Sequence, residues 1–127
     1  MRNRKTLQIL LCIVLAAFLA GCATVGTAPT APAKTASQIA KETSLHFMGV
    51  YKAQFNDAAS MGALAQQGKL SLGQLQVYRI KRELLIKLKP LIEAFDAIVA
   101  GGGIPSPDRE QEINDVINQL VATAGGA

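Results

Sequence analysis

The run "LGQLQVYRIKRELLIKLKPLIEAFDAIVA", residues 72 to 100, constrains this chain more than any other stretch. Projected at 100° per residue, Val77, Ile80, Leu84, Leu85, Leu88, Leu91, Ile92, Phe95, Ile98 and Val99 cover an arc of roughly 140°. That is wider than a two-helix seam needs, so the helix requires two neighbours. Ser71 and Gln74 stand ahead of it at capping-box spacing, which sets its start near Leu72. Pro90 lies inside the run and has no N–H for the Ile86 carbonyl. The apolar period stays in phase on both sides, so the sequence predicts a kink there and not a stop.

Two further segments supply the neighbours. From about Ser37 to Gln66, the residues Ile39, Phe47, Met48, Val50, Tyr51, Phe55, Ala58, Met61, Leu64 and Ala65 fall on one broad side, with Lys41, Glu42, Lys52, Asn56 and Ser60 opposite. The second half of this helix is rich in small residues, among them Ala58, Ala59 and Gly62, which permit close approach. Gly68, in "QQGKLS", suits the position after a helix C-terminus. After "GGGIPSPDRE", Ser106 can cap, Pro107 suits a first helical position, and Asp108 and Glu110 set negative charge in the first turn. Ile113, Val116, Ile117, Leu120 and Val121 then repeat at i, i+3, i+4, i+7 and i+8. No segment has strand periodicity. The expected fold is all-α: an antiparallel hairpin of two long helices, with a shorter third helix over its open groove, spanning residues 37–124 with a frayed tail at 125–127. Pairing about the turn near Gly68 places Asp57 near Lys81 or Arg82, and Lys41 near Asp96, as exposed ion pairs.

The first 36 residues have a different character. Arg2, Arg4 and Lys5 precede an apolar run from Thr6 to Ala20, too short for a bilayer span of roughly 20 residues and suited to an export signal. The run ends at Leu19-Ala20-Gly21-Cys22. These four residues resemble the lipobox of bacterial lipoproteins. The resemblance covers the first 22 residues and implies cleavage of the Gly21-Cys22 bond, which removes segment 1–21. It also implies acylation of Cys22 and, with Ala23 following in place of an aspartate, delivery to the outer membrane facing the periplasm. Several acyl chains on one residue hold a protein stably, where a single chain does not. Residues 22–36, rich in alanine, threonine and proline, then read as a flexible tether.

Removal of 21 of the 127 residues leaves 106, enough for one small domain. Arg2, Arg4 and Lys5 leave with the signal, so the net charge falls from +4 to +1 and no global case for nucleic-acid binding survives. Cys12 leaves too, and Cys22 carries lipid. The folded part therefore has no disulfide, although the periplasm would allow one, and it is expected to hold together by packing alone.

A search for chemistry finds no catalytic constellation. His46 is the single histidine, with no thiol in the folded part to join it, and reads as a helix-edge residue. Glu110, Glu112 and Asp115 suit the first turn and solvent face of their helix. Ser71 and Ser106 are explained as caps, and Gly101 to Gly103 as a turn without the strand and lysine of a phosphate-binding loop. No metal site and no cofactor, beyond covalent lipid on Cys22, is expected. One local feature stands out: Arg79, Lys81, Arg82, Lys87 and Lys89 are opposed in their section by Glu83 alone. A solvated face explains such a run, and an anionic partner meeting Arg79, Arg82, Lys87 and Lys89 is the functional alternative. Uncovered parts of the broad apolar arcs offer a second candidate surface. The expectation is a non-enzymatic envelope lipoprotein, membrane-held through its lipid, that binds an envelope protein or itself; a structural coat lipoprotein is the alternative.

Overall fold

The computed structural model describes residues 31–124. The expectations placed on Gly21 and Cys22, on the signal segment 1–21 and on the tail 125–127 lie outside the described residues. Lys34–Ala127 forms one compact unit. Three helices build it: α1 (Ala36–Gln66), α2 (Leu72–Ala100) and α3 (Pro107–Ala124). Among the described residues there is no strand, and the all-α three-helix bundle expected of the sequence is what forms.

Both long helices begin on a complete capping box. Ser71 Oγ accepts from the Gln74 amide, and the Gln74 side chain accepts from the Ser71 amide. Thr35 and Gln38 repeat the device ahead of α1. The helix thus starts at Ala36, and Thr35 and Ala36, expected in the tether, belong to the bundle. The reason is local: a threonine three residues before a glutamine satisfies two of the donors a helix start leaves open. At the other end of α1, Gly68 adopts φ +66°. The Gly68 amide donates to Ala65 O and the Lys69 amide to Leu64 O, the paired bonds of a Schellman turn. Gly102, at φ +79°, closes α2 in the same way through Gly102 to Val99 O and Gly103 to Ile98 O. Helix α3 opens on Ser106, whose carbonyl accepts from the Arg109 and Glu110 amides.

α2 runs unbroken through Pro90. It packs on both neighbours, whereas α1 and α3 touch one another much less. The core joins Phe47 of α1, Leu88, Ile92 and Phe95 of α2, and Ile113, Val116, Ile117 and Leu120 of α3. Phe47 and Phe95 meet edge to face with centroids 5.3 Å apart, a geometry aromatic quadrupoles favour. Gly62 lets α1 come close to α2: a Cβ there would stand 2.9 Å from the Tyr78 hydroxyl.

Two expectations about charge are corrected. Asp57 does meet Lys81, through a hydrogen-bonded ion pair, but the pair is not exposed on both sides. Lys81 is 2% exposed, because its position in the 3.6-residue period falls between Leu85 and Leu88 on the buried face of α2. It therefore does not belong to a solvated basic face. Asp96 pairs with Ser44 in place of Lys41: the buried Ser44 hydroxyl donates to Asp96 Oδ1 at 2.7 Å. Lys41 stays exposed one turn earlier on α1.

Candidate docking cleft between the long helices

The hairpin has two grooves, and α3 fills one. Along the other, stripes from α1 and α2 face each other without cover. On α1 the stripe is Met48, Tyr51, Lys52, Phe55, Ala58 and Ala59; on α2 it is Tyr78, Arg82, Ile86, Lys89 and Glu93. The spacing explains both sets, since residues three, four, seven and eight apart share a helix face. Two adjoining recesses of ≈ 420 Å³ and ≈ 630 Å³ result, and they share Tyr51, Phe55 and Lys89. Their walls come from α1 and α2 alone.

The floor of the first recess is apolar and its edge is charged. Tyr51 and Phe55 lie nearly parallel at 26°, centroids 6.0 Å apart, and Met48 and Ile92 complete the surface. Phe55 is 51% exposed, Met48 47% and Ile86 65%. Such side chains, placed side by side, form the contiguous apolar surface that marks partner sites. Lys52, Arg82 and Lys89 rim the cleft, with Glu93 the one carboxylate among its lining residues. Lys89 and Glu93 approach to 3.8 Å as an exposed i, i+4 pair, an interaction of about 0.3–0.5 kcal/mol that is readily exchanged for another.

Arg79, Arg82, Lys87 and Lys89 are all exposed, yet they do not form one surface. Arg82 and Lys89 stand on the same face of α2 and reach the cleft. Arg79 lies beyond its edge, and Lys87 points about 160° away from Lys89 on the helical projection. The structure thus merges two surfaces that the sequence kept apart, since half of the basic set borders the uncovered apolar arc.

Periodicity does not point to every cleft residue: Lys52 projects to the polar side of α1, and Ile86 and Glu93 fall outside the apolar arc of α2, yet all three line the cleft. Ile86 did carry a signal, as a large apolar residue on an otherwise charged face. The other residues of possible chemistry are otherwise engaged. His46 is exposed and tilted against Phe47 at 6.1 Å, and Ser71 is committed to its cap. Among the described residues, no group of three His, Cys, Asp or Glu side chains could hold a metal ion, and no helix is long and apolar enough to cross a membrane. Compared with protein-family models, curated proteins and solved structures, the chain matches none.

Proposed function

We propose that the chain is a non-enzymatic cell-envelope lipoprotein, anchored to the outer membrane through Cys22, whose helical bundle docks another envelope protein along the α1–α2 cleft. The docking half of this reading is carried by the cleft: a two-helix groove with half-exposed Phe55 and Met48 on its floor, cations on its rim and no helix of the bundle over it. Phe55 and Met48 are already about half covered, so hiding the remainder contributes about half of the roughly 1.5–3 kcal/mol that full burial of such a side chain gives, and a partner must cover several together to hold. The anchoring half rests on Leu19-Ala20-Gly21-Cys22 and on the basic, apolar segment before it.

One experiment addresses both halves. Cys22→Ala is expected to abolish incorporation of labelled palmitate and to leave an uncut precursor. A photo-crosslinking residue at position 55 is expected to capture a discrete envelope protein in cells, and one at the exposed Asn114 of α3 is expected to capture none. Labelled Cys22→Ala protein in the outer-membrane fraction would sink the anchor. Equal capture at both positions, or none at either, would sink the docking face and favour a structural coat role.

A further inference from the structure

Resting on the docking reading above, we infer that the occupant of the cleft is a single amphipathic helix flanked by acidic residues, seated as the fourth helix of the bundle. The length argues for a helix. The α1 wall runs from Met48 to Gln66, which at 1.5 Å per residue is about 27 Å, the span of some 18 helical residues. α3, with 18 residues, occupies the other groove of the same hairpin, so the hairpin already accepts a helix of this size on one side. Ala58 and Ala59 in the middle of the wall leave room for a partner's larger side chains, as ridge-into-groove packing requires.

The rim argues for acid. Lys52, Arg82 and Lys89 border the groove against Glu93 alone. A helix with apolar residues on one face and carboxylates beside them satisfies both the floor and the rim. Two copies mated cleft to cleft do not, since that opposes three cations to three, and like charges across an interface disfavour the wrong partner. A lipid chain would use the floor but leave most of the cationic rim, Lys52, Arg82 and Lys89, without a partner along its length.

The test uses the full chain in phosphatidylcholine nanodiscs, with empty discs as the blank, and two fluorescein-labelled peptides of 18 residues. Both carry the same leucine and alanine face; one has glutamates beside that face and the other has lysines. Fluorescence anisotropy is expected to show the glutamate peptide binding at least tenfold more tightly. K52E/R82E/K89E is expected to reverse that order, and Phe55→Ala with Ile86→Ala to weaken both peptides at least fivefold while the far-UV circular dichroism stays unchanged. Equal affinity for the two peptides, or no loss in the double alanine variant, overturns the proposal. So does a concentration-dependent dimer in sedimentation that excludes the peptide, or displacement of the peptide by stoichiometric parinaric acid. If the glutamate peptide fails while position 55 still crosslinks a protein in cells, the acidic helix is refuted and docking stands; failure of both removes docking as well.

Discussion

Lys81 carries an ammonium group into the centre of the buried face of α2, where Leu85, Leu88 and Ile92 surround its place in the helical period. Its partner Asp57 is 57% exposed, so the pair is half in water: the lysine has lost its hydration and the carboxylate has kept part of it. Removing the carboxylate strands a buried charge, whereas removing the lysine relieves one, and the two substitutions therefore differ in sign. Asp57→Ala is expected to cost about 1–3 kcal/mol, and Lys81→Met to be neutral or stabilising. Urea-unfolding midpoints measure both, and a Lys81→Met loss as large as that of Asp57→Ala would contradict the argument. Position 81 shows where sequence reading stops. Periodicity alone sets Lys81 among the leucines, but its charge argues for water, and only the carboxylate across the hairpin resolves the conflict. Ser44 is similar: a small polar residue gives no sign of burial until Asp96 is seen to accept its hydrogen bond.

At the scale of the element, each helix boundary is written in a few adjacent residues and is legible where those residues stand apart from their background. Ser71 with Gln74, and Gly68, could be read directly. Thr35 with Gln38 has the same spacing, yet it sits at the end of an alanine, threonine and proline tract whose composition masks it. The face that α3 leaves open was harder to read, since both arcs are wide enough for two neighbours and nothing local says which side the third helix takes. Two substitutions test the local physics. Gly68→Ala forces a Cβ into the left-handed region, φ +66°, and is expected to cost about 1 kcal/mol or more. Pro90→Ala restores an N–H in the interior of α2. It is expected to gain about 1 kcal/mol, within the ~3 kcal/mol by which alanine exceeds proline in a helix. Chemical denaturation followed by circular dichroism reads both shifts; a stabilised Gly68→Ala or a destabilised Pro90→Ala would show that the turn or the helix is held by something other than its own backbone.

The whole molecule depends on α3 for closure. Ile113, Val116, Ile117 and Leu120 are all buried, and they cover the side of the hairpin where Phe47, Leu88 and Phe95 lie. A chain ending at Gly103 is expected to keep much of its helix but to lose cooperative thermal unfolding and to bind the dye ANS, as a hairpin with half its core uncovered does. A sharp transition at the full-length midpoint would show that the two long helices suffice. The connections have a consequence of another kind. Each helix packs on its neighbour in sequence, through the turn at Gly68 and the loop from Gly101 to Ser106. Folds built from such near-neighbour contacts form in microseconds to milliseconds. A partner at about 1 μM, arriving with an ordinary association rate of about 10⁶ M⁻¹s⁻¹, makes productive contact roughly once a second. Folding is faster than encounter by about three orders of magnitude or more on those figures, so a helix of the kind proposed would meet a groove that is already shaped, and the cost of ordering would fall on the visitor.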